Sequence, residues 1–321
     1  MILLYIFIFI GSLFILYWSG SRLIKSLVVI CHVLGWREFV VAFLVMAVAT
    51  SIPNLFIDVN AALQKIPQLA FGDIVGGNIV DLTLVIGLAV ILSNISLPAE
   101  SKMVQSSAVF TMIIALLPLL LILDGRLDGV DGLILILAFF IYIVWLFSNE
   151  KRFTKVYRMP KKERTSGPRL MKIIYGTCTT IFFTGLLLLA SEGIILSAQY
   201  FSYYMGLSLS LVGILIVGLG NCMPETYFTA ISARKDQNWM ILGNLMGSVI
   251  ICSTLVLGMV AIICPFEITD FSPFLIARIF TIISAILFFL VLRTGHKITK
   301  KEGLLLIFIY FAFLITEIYF K

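Results

Sequence analysis

Charge and histidine are both scarce in this chain. Only 12% of its 321 residues are Asp, Glu, Lys or Arg, and only two are His. A water-soluble domain carries about 25% charged residues. With 61% hydrophobic residues, this chain has too little polar surface to face water on all sides, and lipid must be its solvent. His32 and His296 are the sole imidazoles. No HExxH helix, no Gly-x-Ser-x-Gly elbow and no nucleotide-binding motif occurs, which argues against an intramembrane enzyme or a primary pump. The five cysteines form no CxxC pair and lie mostly in apolar runs, so neither a disulfide framework nor a zinc site is expected. The net charge of +6 sits mostly in loops, which speaks for membrane topology and against a nucleic-acid partner.

Apolar runs take the place of these features. Crossing a hydrocarbon core about 30 Å thick needs about 20 apolar residues. Ten runs qualify, near 2–18, 38–61, 70–92, 104–123, 130–148, 172–198, 207–232, 240–263, 273–292 and 302–320. Runs of this length cross lipid only as helices. The first lacks a basic n-region and a small-residue cleavage site, and is expected to be a span, not a signal peptide. Basic residues cluster after the fifth run, from Lys151, Arg152 and Lys155 through Arg164 and Arg169. Arg22, Lys25, Arg234, Arg293 and Lys297 fall in loops on the same side. The positive-inside rule then predicts an integral protein, of the cell membrane, with both termini extracytoplasmic and segment 149–171 cytoplasmic. That segment, with Pro160, Gly167 and Pro168, divides a first half, 1–148, from a second, 172–321.

The halves repeat. A shift of 171 positions superimposes 35–92 on 206–263 without a gap, bringing Gly35 onto Gly206, Pro53 onto Pro224, Gly72 onto Gly243, Gly76 onto Gly247, Thr83 onto Thr254 and Gly87 onto Gly258. Five spans per half is an odd number, so the second half enters the membrane from the opposite face. The predicted fold is an all-α membrane protein of ten transmembrane helices in two inverted-topology repeats, a build whose sites lie at the repeat interface near the midplane.

The polar residues concentrate where the repeat matches best. The second span reads Ala49-Thr50-Ser51-Ile52-Pro53-Asn54, with Asp58 one turn on, and the seventh reads Gly220-Asn221-Cys222-Met223-Pro224-Glu225. A mid-span proline breaks the hydrogen-bond ladder and frees the carbonyl four residues back, here at Ala49 and Gly220. In lipid such carbonyls need a cavity or a cation. The third span carries Gly72-Asp73 and Gly76-Gly77, then Asp81; the eighth carries Gly243-Asn244 and Gly247-Ser248, then Cys252. The Gly-xxx-Gly faces are expected to press the third span on the second and the eighth on the seventh. An Asp at a helix centre in lipid costs at least about 2.5–3.5 kcal/mol. Asp81 and Glu225 are expected deepest, with Asp58 and Asp73 nearer the ends and partly hydrated, and Glu192 interfacial; Asp58, four residues on from Asn54 and on its face, is a further candidate metal ligand. No Lys or Arg lies in the central part of these four spans, so a metal cation or proton is the expected partner. Oxygen donors suit hard ions such as Ca²⁺ and Na⁺, while a softer metal would turn to Cys222 and Cys252.

These motifs resemble those of the cation/calcium exchanger superfamily, whose alpha repeats carry G/A-T-S-x-P-E and G-N-x-x-G-S-N-x-x-[ND] segments. The resemblance implies four repeat helices forming a central diamond around cation sites, and alternating access as spans one and six slide against it. Carried over by position, it implies a ligand set of Ala47, Thr50, Ser51, Asn54, Gly77 and Asp81, and of Gly218, Asn221, Cys222, Glu225, Ser248 and Cys252. It implies a secondary antiporter without a cofactor, exchanging Ca²⁺ for Na⁺ or H⁺, with inorganic cations and the bilayer as its partners. The pattern departs at Asn54, Gly77, Asn221-Cys222 and Cys252. Two carboxylates, Asp81 and Glu225, remain in that set, enough to neutralise one Ca²⁺ but not readily three Na⁺. The alternative is a homologue with an incomplete site, non-transporting or altered in selectivity.

Overall fold

The computed structural model describes residues 1–34, 49–93, 96–100, 102–148, 169–234, 238–268 and 272–319. Ten helices follow one another among them: α1 Ile2–Leu34, α2 Ala49–Leu63, α3 Pro67–Leu92, α4 Lys102–Leu121, α5 Gly129–Ser148, α6 Arg169–Met205, α7 Leu209–Arg234, α8 at 238–263, α9 Ser272–Arg293 and α10 Lys300–Tyr319. Nine are long and apolar enough to cross a membrane; α2 is described only from Ala49 onward. Most of the basic segment 149–171 lies outside the described residues.

Two helices outrun their apolar stretches. The 33 residues of α1 and 37 of α6 extend about 50 and 56 Å at 1.5 Å per residue, beyond the expected 2–18 and 172–198. Polar residues end the apolar run in each, but no proline ends the helix. The two lie side by side. Tyr5 stacks on Tyr200 with ring centroids 3.9 Å apart, and Trp18 meets Phe183 edge-on at 5.3 Å. Both α1 and α6 also contact α2.

The remaining contacts obey the repeat. The C-terminal half of α3 packs on α10, and that of α8 packs on α5. A methyl group on Gly87 would meet the Gly303 carbonyl oxygen at 2.7 Å, and one on Gly258 would meet that of Gly132 at 2.8 Å. Gly87 and Gly258, and likewise Gly132 and Gly303, are related by the same 171-residue shift. Helix starts repeat too. Asp128 and Asp131 reciprocally cap α5: Val130 N donates to Asp128 Oδ1 at 2.8 Å and Asp128 N donates to Asp131 Oδ2 at 3.0 Å. Thr299 and Glu302, 171 positions on, cap α10 in the same way, with Thr299 N donating to Glu302 Oε2 at 2.7 Å.

Short two-stranded ribbons fasten the loops. Leu97–Pro98 pairs with Lys297–Ile298, and Arg126–Leu127 with Phe266–Glu267, both antiparallel. Six helices separate the first two strands and four the second two. Both numbers are even, so each ribbon joins loops on one face of the membrane, as ten successive crossings require.

Candidate cation site at the repeat interface

The four repeat helices are irregular where the repeat is most polar. Helix α7 is interrupted at Cys222, just before Pro224, and π-turns occupy Val80–Val85 in α3, Cys252–Val256 in α8 and Gly213–Val217 in α7. The turns in α3 and α8 are repeat mates: Asp81 stands near the start of one and Cys252 at the start of the other, and Thr83 and Thr254 donate to the carbonyls of Ile79 and Ile250. A π-turn widens the helix by one residue per turn and shifts the carbonyl register, a distortion frequent at functional sites.

Glycines bring backbones together here, though not where expected. A methyl on Gly72 would meet Ser210 O at 2.3 Å, and one on Gly76 would meet Ile214 O at 2.3 Å. The facing glycines answer them: a methyl on Gly213 would meet Leu69 O at 2.5 Å, and one on Gly218 would meet Gly77 N at 2.9 Å. The Gly-xxx-Gly face of the third helix therefore presses on the seventh, across the repeat boundary, and not on the second. The second half does not copy it: a methyl on Gly243, the repeat mate of Gly72, would meet nothing within 4 Å, so the close glycine approach expected there between the eighth helix and the seventh is not seen at Gly243.

Polar bonds cross the same boundary. Asn54 Nδ2 donates to Cys252 Sγ at 3.2 Å, Asn78 Nδ2 to Ser253 Oγ at 2.7 Å and Asn221 Nδ2 to Asp73 Oδ2 at 2.9 Å, while Cys222 Sγ donates to Gly77 O at 3.6 Å. Within the second half, Ser248 Oγ donates to Glu225 Oε1 at 3.4 Å. Asp81 lies beside Cys222 and Ser248, and Asp58 beside Asp73.

Each sequence candidate can now be placed. Ala47 lies outside the described residues, and of Thr50 only the backbone is described. Ser51, Asn54, Asp81, Asn221, Cys222, Glu225, Ser248 and Cys252 are all buried. Gly77 and Gly218 lie at the α3–α7 contact. Partial hydration of Asp58 and Asp73 does not hold: they are 0% and 1% exposed, as deep as Glu225 at 0% and Asp81 at 3%. The cause is the α3–α7 contact, which closes over that end of the core. The repeat helices thus bury four carboxyl groups, where the positional ligand set counted two; Glu317 of α10, 3% exposed, is a fifth buried acid among the described residues. Asp73 was missing from that set, although it is an acid in an apolar run whose repeat mate, Asn244, is an amide. Glu192 is half-buried, accepting from Gln64 Nε2 at 2.7 Å and Asn60 Nδ2 at 3.1 Å.

The sole ion pair among the described residues is Arg126–Asp124, on the surface. None of the four buried acids of the repeat helices has a basic partner there. Among the described residues no three His, Cys, Asp or Glu side chains converge as a metal cluster would require. The donors are instead a mixture of carboxylates, amides, hydroxyls and backbone carbonyls, the chemistry of hard-cation binding. Buried charge of one sign demands a counter-charge, and a diffusible cation is what the arrangement can accept.

Comparison with known proteins agrees with this geometry. The chain is 25% identical to the sodium/calcium exchanger MaX1 of Methanosarcina acetivorans, over 94% of its own length and 95% of that protein's. It is 23% identical to the inner membrane protein YrbG of Escherichia coli, over 92% and 91%. Its fold superimposes on a solved structure of the sodium-calcium exchanger NCX_Mj soaked with Na⁺ and Sr²⁺, with a TM-score of 0.64, 21% identity, and coverage of 98% and 99% of the two chains. The family model described as sodium/calcium exchanger protein matches residues 4–148 and again 175–319, so this ten-helix, twice-repeated chain belongs to the sodium/calcium exchanger family and is a cation antiporter, not an enzyme.

Proposed function

We propose that the protein moves Ca²⁺ across the cell membrane against Na⁺ or H⁺ by alternating access, with Asp81, Glu225, Ser248, Asn54, Ser51, Thr50 and Asn221 supplying oxygen donors at the repeat interface. One observation carries the reading: carboxyl groups from both halves are buried at a shared interface with no basic residue described beside them. Ca²⁺ takes 6–8 oxygens at about 2.3–2.6 Å, and Asp81 with Glu225 matches its charge. The ligand set was carried over by position, and its thiols at Cys222 and Cys252 enter through their hydrogen bonds. Relatives named as sodium/calcium exchangers support Na⁺ as counter-ion; carboxylates that can also take a proton support H⁺.

The halves 1–148 and 172–321 act as two inverted units joined by the basic segment, which the positive-inside rule assigns to the cytoplasm, leaving both termini outside. The Asn54–Cys252 bond favours a second reading. It engages two substituted positions with each other, as a site of altered selectivity would.

The test is radiolabelled Ca²⁺ uptake into proteoliposomes, with an outward Na⁺ gradient in one set and a pH gradient in another. Uptake driven by either, and lost in Glu225→Gln, names the counter-ion and supports the site. Flux unaltered in that variant sinks the assignment, and no flux under both gradients favours the second reading.

A further inference from the structure

We propose that a groove along α6 seats one phospholipid with a primary ammonium headgroup, phosphatidylethanolamine, whose ammonium docks on Glu192. This site lies outside the cation core and does not depend on which ions are exchanged. A cavity of about 660 Å³ opens on α6, within the about 300–1,000 Å³ of pockets that hold small ligands. Ile181, Phe182 and Leu189, all exposed, give it apolar walls, and at Gly185 between them a methyl group would meet nothing within 4 Å. Asn60 of α2 and Glu192 stand at one end. Asn60 Nδ2 donates to Ser191 Oγ at 2.9 Å and to Glu192 Oε2 at 3.1 Å, and Gln64 Nε2 donates to the same Oε2 at 2.7 Å. Both donors are neutral amides. Among the described residues, Oε1 takes no hydrogen bond and Glu192 has no basic partner. An ionisable side chain within the apolar segment Ile174–Met205 is costly and calls for a partner. These residues also break the repeat. The shift of 171 relates Asn60 to Ile231, Gly185 to Phe14 and Glu192 to Ser21, so packing of the fold asks for neither the amide, the gap nor the acid.

The groove has the dimensions of one acyl chain below one headgroup. Ile181, Gly185, Leu188 and Glu192 recur at helical spacing and share a face of α6. From the first to the last the helix rises about 16 Å at 1.5 Å per residue, which matches one leaflet, half of a hydrocarbon core about 30 Å thick. The acidic end adjoins Gln64, in the turn that joins α2 to α3, and so points toward a membrane face. Lys65, the next residue of that turn, is exposed. A zwitterionic headgroup therefore finds an acid for its ammonium and a base for its phosphate. A primary ammonium carries three N–H donors, one of which can reach Oε1. The quaternary ammonium of a choline lipid has no N–H to donate, and a glycerol headgroup offers Glu192 no cation. Since Asn60 belongs to α2, the seated lipid would lie against α2 as well as α6.

Native mass spectrometry of the delipidated full chain in detergent tests this, with phosphatidylethanolamine, phosphatidylcholine and phosphatidylglycerol of identical acyl chains titrated separately. The first phosphatidylethanolamine is expected to bind about tenfold more tightly than either of the others, the size of one hydrogen bond to a charged group. Glu192→Gln should lower its affinity to that of the choline lipid. Gly185→Trp, which fills the groove but keeps the carboxylate, should weaken it as well. Equal affinities of the three lipids for the unaltered chain overturn the site. A preference for ethanolamine that survives Glu192→Gln removes the acid from the headgroup contact, and an affinity unmoved by Gly185→Trp places the lipid elsewhere around the helices; either result overturns the proposal. Tightest binding of phosphatidylglycerol overturns it too, by giving the surface to Lys65 and an anionic headgroup. None of these readouts involves ion flux, so the lipid site and the exchange reading stand or fall separately.

Discussion

Asn221 shows how much can hang on one side chain. Its amide nitrogen satisfies a fully buried carboxylate across the repeat boundary at 2.9 Å. Removing one partner from a buried polar bond leaves the other desolvated and unpaired, at about 1–3 kcal/mol or more when it is charged. Asn221→Leu is therefore expected to lower the thermal unfolding midpoint in detergent clearly, whereas Asn221→Ser, which can still donate, should lower it less; equal midpoints for the two would contradict the role. The capping pairs lie at the water-facing ends. Thr299→Ala should cost about 1 kcal/mol, within the range for lost N-caps, read from the same unfolding curves. At the equivalent Asp128, backbone N–H groups of Asp131 and Val130 hold the carboxyl below its usual range. A folded-state pKa below the unfolded one contributes stability above the unfolded value, and that contribution disappears as pH falls through the folded one. Asp128→Asn should accordingly flatten the acid side of the stability profile and leave its alkaline side alone. A profile of unchanged shape would show that the cap does not titrate with folding.

Helices α3 and α7 are the elements on which the site depends. Their backbones approach so closely that a single methyl on Gly76 would sit 2.3 Å from Ile214 O. The obstruction is backbone, which cannot swing aside as a side chain can. Gly76→Ala should destabilise by at least the roughly 1–3 kcal/mol of core overpacking and should reduce cation binding, because Asn221 and Asp73 are aligned by that contact. Gly11 of α1 is the control. A methyl there meets nothing within 4 Å, and Gly11→Ala should be neutral or gain up to about 1 kcal/mol of helix propensity. Comparable loss in both variants would mean that the α3–α7 approach carries no special constraint. The paired π-turns follow the same logic, since they fall where Asp81 and Cys252 meet the opposite half and a regular helix would turn those residues elsewhere.

At the scale of the molecule, the two ribbons bind loops of opposite halves together at opposite membrane faces. Arg126 and Lys297 are repeat mates, yet one lies in each ribbon. Inverted topology therefore predicts opposite sidedness for them. With both termini outside, a membrane-impermeant thiol reagent should label Arg126→Cys from outside intact cells and Lys297→Cys only in inverted vesicles, each measured against the unaltered chain. Reversed labelling would correct the orientation but keep the inverted repeat; labelling of both from one side would contradict the ten-crossing path. The long α1–α6 pair lies along α2 at the edge of this core. Its two helices meet mainly through aromatic and apolar contacts, and Asn60 and Gln64 tie α6 to the end of α2 through Ser191 and Glu192.

Much of this was legible in the residues themselves. Ten apolar runs, an odd number per half and a gapless 171-residue register determine ten helices and an inverted repeat, because lipid leaves a backbone no other way to cross and periodicity survives in any one-dimensional reading. The same register exposed the prolines, glycines and acids that gather at the interface. What a linear reading could not supply was which half each glycine face would meet, how deep Asp58 and Asp73 would lie, and how far α1 and α6 would continue as helices. Those depend on contacts between residues more than a hundred positions apart. Burial in particular is decided only when α7 closes on α3: an acid near the end of an apolar run looks half-hydrated until a neighbouring helix removes the water.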